Sequence, residues 1–262
     1  MTAKWGLNYT KLMLNSLQAW FATPLGQYLG AQERACHDDI VADIFGFHAL
    51  QMGLPDLDLL RANRIPHKFV LGRAGQVDVV ADFVELPVES QSIDLLVMPH
   101  VLEFTQQPHQ ILREVDRVMM PEGRIVITAF NPWSLWGIRR WLRADNQQYP
   151  WNGNFISLVR MKDWLSLLGF DVSAGKLACY VPPCMREAWL QRFHFMEPAG
   201  DRWWAIAGGV YILEAIKRVQ GMRIITPAWA DKKHAEKEFA RAGRPAGVRR
   251  QHAPRSALRI VK

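Results

Sequence analysis

The sequence predicts an α/β fold, with short buried strands alternating with helices, a helical N-terminal segment ahead of them and a disordered basic tail behind. Three observations carry this. Between residues 47 and 130, apolar runs of 4–8 residues recur and are stopped by Gly, Pro or Asp, the texture of strands buried on both faces of a parallel sheet. An amphipathic helix opening at Pro108 stands between two such runs. The formal charge of +7 is also unevenly placed: residues 228–262 hold ten Lys and Arg against three Asp and Glu, and the other 227 residues are neutral. The body is therefore not a basic protein, and its charge gives no support to a nucleic-acid substrate. Nucleic acid enters only as a contact of the tail, through Lys232, Lys233, Arg241, Arg249 and Arg250 among others.

Composition excludes several classes. With 262 residues, 49% hydrophobic and 22% charged, the chain has enough apolar content for a full core and too much for a disordered protein. Cys36, Cys179 and Cys184 make neither a disulfide framework nor a zinc set and read as reduced thiols of a cytoplasmic protein. No metal site is expected. The longest apolar run, 205–216, is broken by Gly208, Gly209 and Glu214 and is too short for the ~20 residues of a spanning helix. Lys4 is followed by no apolar stretch ending in a cleavage site, so no signal peptide is expected.

In chain order, residues 1–45 read as a helical segment or lid, with Leu12, Leu17, Trp20 and Phe21 as one stripe and Ile40, Val41, Ile44 and Phe45 as another. Strands follow at 47–52, 68–71, 76–81 and 92–98, with a short helix expected from Leu57 to Leu60. Pro108 begins a helix whose buried stripe is Ile111, Leu112, Val115, Val118 and Met119, proline being well placed in the first turn. Pro121-Glu122-Gly123 ends it, and Arg124–Phe130 is the fifth strand. A helix over 158–168, a sixth strand from Phe170 and a seventh over 209–217, reached through a long insertion, complete the main domain, 46–227. Residues 228–262 lack apolar periodicity and read as disordered.

One block has a more specific pattern. It runs Val79-Val80-Ala81-Asp82-Phe83-Val84-Glu85-Leu86-Pro87, Ser92–Val97, His100-Val101-Leu102-Glu103-Phe104, then Pro108–Val118 with its Arg113-Glu114-Val115-Asp116-Arg117 core, Pro121-Glu122-Gly123 and Arg124–Ile127. This order resembles the central block of class I S-adenosylmethionine-dependent methyltransferases with a type 11-like domain. The resemblance spans about 46–218, and Phe130-Asn131-Pro132-Trp133-Ser134-Leu135-Trp136-Gly137 is similar to a bacterial branch of that superfamily. It implies a Rossmann-like, seven-stranded mixed sheet with an antiparallel final hairpin, S-adenosylmethionine as cofactor, S-adenosylhomocysteine as product and a small-molecule acceptor.

By the same resemblance, Gln51 and Gly53 would sit in the loop approaching the methionine part of the cofactor, Asp82 would accept from the adenine amino group, and Phe83 would lie beside the ring. His100 would face cofactor or acceptor and is the candidate general base, its ordinary pKa suiting neutral pH. The family's glycine loop is reduced here to Leu50-Gln51-Met52-Gly53-Leu54-Pro55-Asp56, and Leu71-Gly72-Arg73 provides no acid for the ribose. Only 29 positions separate Gly53 from Asp82, which leaves little room for the usual second helix. A non-catalytic scaffold that has lost the cofactor therefore stays open beside the enzyme, as does an RNA-associated factor recruited by the tail. Asp94 is expected to satisfy backbone N–H groups and Glu103 to be a helix-surface charge. Trp133, Trp136 and Trp141 either wall an acceptor site or cover the sheet, and Arg139, Arg140 and Arg143 either hold an anionic acceptor or form a solvated helix face.

Overall fold

Seven strands form one mixed sheet of order β3-β2-β1-β4-β5-β7-β6. The computed structural model describes residues 16–142, 148–204 and 206–218. The strands are β1 His48–Met52, β2 His67–Gly72, β3 Val79–Val80, β4 Ile93–Pro99, β5 Met119–Phe130, β6 Phe170–Ala178 and β7 Val210–Lys217. The first five pair in parallel, and β7 lies antiparallel between β5 and β6. The helices are α1 Leu17–Phe21, α2 Pro24–Val41, α3 Pro108–Val118, α4 Leu135–Leu142, α5 Leu158–Leu167, α6 Glu187–Arg192 and α7 Met196–Trp203. The basic tail, Leu12 and Arg143 lie outside the described residues.

Alternation along the central strands explains the layering. Leu95 and Val97 of β4 point to one face and Leu96 and Met98 to the other; all four are fully buried, as a parallel sheet covered on both sides requires. On the second face α3 buries Ile111, Leu112, Val115 and Val118, and α5 buries Met161 and Leu165. On the first face lie α1, α2 and the 179–193 insertion. Leu25 and Leu29 of α2 pack in the same core as Val126 and Phe130 of β5. Thr23 accepts from Gly26 N, with Pro24 opening α2, a capped start that fixes where this layer begins.

Several elements depart from expectation. The 57–60 helix is absent and 53–66 runs as turns, so α2, which precedes β1, covers the sheet where a crossover helix was expected. The third strand shrinks to two residues. Phe45 alone of the expected stripe is exposed: α2 ends at Val41, Val41 and Ile44 are buried, and Ile40 is half-buried against the same core. The strand expected from Arg124 begins at Met119, directly after α3. Asp94 behaves as expected, its Oδ2 accepting from the N–H groups of Phe47 at 2.7 Å and His48 at 3.0 Å.

Candidate functional site

The carboxyl ends of β1, β2 and β4 open into a cleft of about 290 Å³, with Gly53, Arg73, Phe83, His100, Thr105 and Tyr149 among its walls. Ligands of open α/β sheets bind at this edge, where strand order reverses; the reversal here is at β1/β4. Leu17 and Gln18 of α1 close one side. The structure thus brings together three of the residues expected from the sequence: Gly53, Phe83 and His100.

Gly53 follows β1 with φ of +81°, a conformation that favours glycine. Its N–H donates to Leu71 O at 2.7 Å. A Cβ there would stand 3.4 Å from Val101 Cγ2 and 3.7 Å from Phe83 Cζ, pointing into the space between them. The missing side chain therefore opens the cleft.

Gln51 stands outside the cleft and holds the loop from behind. Fully buried, it donates from Nε2 to the carbonyls of Gly53, Leu54 and Leu57 at 3.2, 3.0 and 2.9 Å, and its Oε1 accepts from Leu59 N at 3.0 Å. These bonds replace those a helix would supply, which is why 53–60 is ordered as turns. Gln51→Leu strands three buried polar groups, the Leu54 and Leu57 carbonyls and the Leu59 N–H, each worth about 1–3 kcal/mol when unsatisfied. We expect a loss of roughly 2–4 kcal/mol, after partial relaxation, in urea unfolding.

Asp82 lies on the rim, exposed, and accepts from Arg73 Nη2 at 2.8 Å. That hydrogen bond holds its carboxyl below the usual range. The Arg73 guanidinium also sits 5.1 Å from the Phe83 ring centre. Among the described residues that wall the cleft there is no carboxylate.

Beneath the cleft lies a cluster that the sequence did not reveal. His100 is 1% exposed, with φ of +52°. Its Nδ1 is 2.8 Å from Glu103 Oε2 and its Nε2 is 2.7 Å from Glu33 Oε1. Glu103 Oε1 also accepts from the Phe130 N–H. One turn beyond Glu33 on α2, His37 Nε2 is 2.8 Å from Thr128 Oγ1 of β5. Burial works against a charge on His100, but Glu33 and Glu103 outweigh it and its pKa is pushed up to about 10. Burial pushes the Glu103 carboxyl up, opposed by His100. Burial, then the His100 charge, drives His37 down to about 3. Both ring nitrogens of His100 are thus held by buried carboxyl groups, with His37 alongside on α2.

One expectation is corrected by this geometry. Glu103 is a buried partner of His100 and not a surface charge. His100, the expected base, has both ring nitrogens facing buried carboxylates, Nδ1 towards Glu103 and Nε2 towards Glu33. The overlooked signal was the placement of Glu33 and His37, four residues apart, on the same side of α2 as Leu25, Leu29 and Cys36: ionisable residues on an apolar stripe are paired or functional.

The tryptophans divide. Trp136 is fully buried, donates Nε1 to Val181 O at 3.0 Å and stacks on Phe130, which in turn stacks on Phe155. Trp133 and Trp141 point to solvent, 76% and 84% exposed. Arg139 and Arg140 are half-buried, their guanidinium groups over Trp151 and Phe155 at 4.7 and 5.2 Å. Among the described residues no group of His, Cys, Asp and Glu is arranged to hold a metal ion, and no helix is long and apolar enough to cross a membrane.

Comparison with known proteins agrees with this architecture. Residues 61–127 match the family model of a methyltransferase domain. The protein YafS of Escherichia coli is 32% identical over 170 residues, 64% of this chain and 62% of YafS, so the alignment spans less than two thirds of that relative. A malonyl-[acyl-carrier protein] O-methyltransferase of Methylovorus is 30% identical over 93 residues, 36% of this chain and 31% of its own. Among solved structures, an S-adenosylmethionine-dependent methyltransferase of Thermotoga maritima superposes with a TM-score of 0.55 at 13% identity, covering 76% of this chain and 93% of that one. A protein solved in complex with the Haloferax volcanii Trm112 methyltransferase activator gives 0.53 at 13% identity, over 79% and 100%. Strand order and the antiparallel β7 are those of the Rossmann-like class I methyltransferase fold, and residues 61–127 within it match a methyltransferase domain.

Proposed function

We propose that the chain binds S-adenosylmethionine in the cleft between Gly53, Phe83 and His100 and transfers its methyl group to a small-molecule acceptor, with S-adenosylhomocysteine as product. The observation that carries this reading is Gly53, whose left-handed backbone and missing Cβ keep a cradle open at the switch point of the sheet. When bound, the cofactor supplies an electrophilic methyl carbon on a sulfonium. Gly53 would let the backbone come close to its methionine part, Phe83 would offer a flat face to the adenine, and Asp82 on the rim beside it would accept from the amino group. The ribose side differs from the family pattern: Arg73 stands where an acid is usual. His100 holds the floor of the cleft, and catalysis rests on proximity and alignment. The free thiols of Cys36, Cys179 and Cys184 suit a reducing, cytoplasmic setting.

Thermal unfolding with each ligand tests this. At a hundredfold excess over Kd, binding stabilises by about 2.7 kcal/mol, a rise of several degrees in Tm, and S-adenosylhomocysteine should act likewise. No shift at millimolar concentrations of either would leave a fold without its cofactor.

A further inference from the structure

Helix α4 is apolar on two sides. Trp136 faces the core, whereas Leu135, Ile138 and Leu142, spaced by three and four residues, form a second stripe that faces solvent. With Met185, Trp189 and Phe193 they line an open groove of about 940 Å³. Trp133 and Trp141 project beside it. Soluble monomers rarely leave so much contiguous apolar surface uncovered without a partner.

The charge around the stripe has one sign. Residues 135–142 and 182–193 contain Arg139, Arg140, Arg186 and Arg192 against the single carboxylate of Glu187. Three of these arginines are tied down. Arg139 donates to Pro183 O and lies over Trp151, Arg140 donates Nε to Trp151 O at 3.1 Å, and Arg192 lies 5.8 Å from the centre of the Trp189 ring. Their cations are thereby held beside the apolar side chains.

We infer that this face docks on an anionic phospholipid surface, with Trp133, Ile138, Trp141 and Leu142 entering the interfacial region and the arginines meeting lipid phosphates. Tryptophan and aliphatic side chains flanked by arginine are the pattern of an in-plane interfacial helix. A second copy of the chain is the poorer occupant, because a twofold contact sets a patch against itself and would bring these arginines against their own equivalents. The inference does not depend on the proposed methyl transfer.

Co-sedimentation of the full chain with vesicles tests it. Vesicles of equal parts phosphatidylglycerol and phosphatidylcholine should retain the chain, and phosphatidylcholine alone should bind about tenfold more weakly. The exposed pair Trp141→Glu with Leu142→Glu should lower binding to the anionic vesicles about tenfold or more, with circular dichroism and the response to S-adenosylhomocysteine unchanged. Absence of binding to anionic vesicles overturns the inference. Binding that the double variant retains overturns it too and transfers the contact to another basic region such as 228–262. Association of the chain in lipid-free buffer, abolished by the same variant, would assign the stripe to a second copy. Capture of an acidic protein without vesicle binding would assign it to a protein partner.

Discussion

Replacing His100 with leucine will cost the folded state about 3–5 kcal/mol at neutral pH, because it leaves Glu33 and Glu103 buried together with no cation between them. Leucine fills the volume, so the loss reports the charge and not a cavity. Both carboxyl groups are fully buried and each is paired with a ring nitrogen of His100. Protonating them relieves the defect, so the gap between variant and wild type in urea unfolding should narrow towards pH 5. A variant within about 1 kcal/mol of wild type at pH 8 would show that the His100 contacts are not made in solution.

The same cluster fixes how wild-type stability depends on pH. The folded pKa of His100 is raised to about 10 from an ordinary value of 6.5, so its contribution is fully present below 6.5 and is lost as pH rises towards 10. Between those values the native state binds the extra proton, and stability should fall by up to about 1.4 kcal/mol per pH unit. Glu103, also raised, acts in the same direction from above its ordinary value of 4.5. His37 acts oppositely. Its pKa is lowered to about 3, so its contribution is present above 6.5 and is lost as pH falls from there towards 3. With Glu103 offsetting His37 above 4.5, stability should stay near its maximum up to about 6.5 and fall above it. Urea midpoints between pH 5 and 8.5 check this, a range that stops short of buried Cys179, whose thiol burial also pushes up. Stability that stays level or climbs from pH 7 to 8.5 would overturn the assignment.

The sheet was legible from local sequence and the cluster beneath the cleft was not, for one physical reason. A strand buried on both faces needs only its own apolar residues, so Leu95 to Met98 announce β4 without reference to any other segment. Glu33 and His37 make sense only against His100 and Thr128, which lie 67 and 91 positions away. The turn at 53–60 hid for a related reason. Its order comes from one side chain, Gln51, bonding three carbonyls and an N–H, and Leu57, Leu59 and Leu60 alone read as a helix. Periodicity could not separate Trp136 from Trp141 either, since α4 carries apolar residues on two sides. Asp94 was legible because an acid at the start of a buried strand has few other ways to be satisfied than the neighbouring N–H groups it accepts from.

Gly53→Val should weaken S-adenosylmethionine and S-adenosylhomocysteine binding more than a hundredfold, the largest effect expected of any single change in the cleft. Two costs combine. At φ of +81° a β-branched residue is a true conformational outlier, and non-glycine side chains in left-handed backbone cost about 1–2 kcal/mol before any contact is considered. The second cost is steric. A Cβ is already in van der Waals contact with Val101 and Phe83, so the γ-methyls must extend into a cleft of only about 290 Å³, near the lower limit of small-molecule sites. Gly53→Ala separates the two costs: it meets the backbone penalty but adds only the Cβ, and should retain measurable binding roughly tenfold weaker than wild type. The Leu71 carbonyl bond to the Gly53 N–H survives both substitutions, so the sheet edge should stay formed and urea unfolding should register only about 1–2 kcal/mol. Calorimetric titration of wild type and both variants provides the readout. A valine variant that binds within a few-fold of wild type would remove Gly53 from the cofactor cradle while leaving open that the cofactor binds elsewhere along the carboxyl edge.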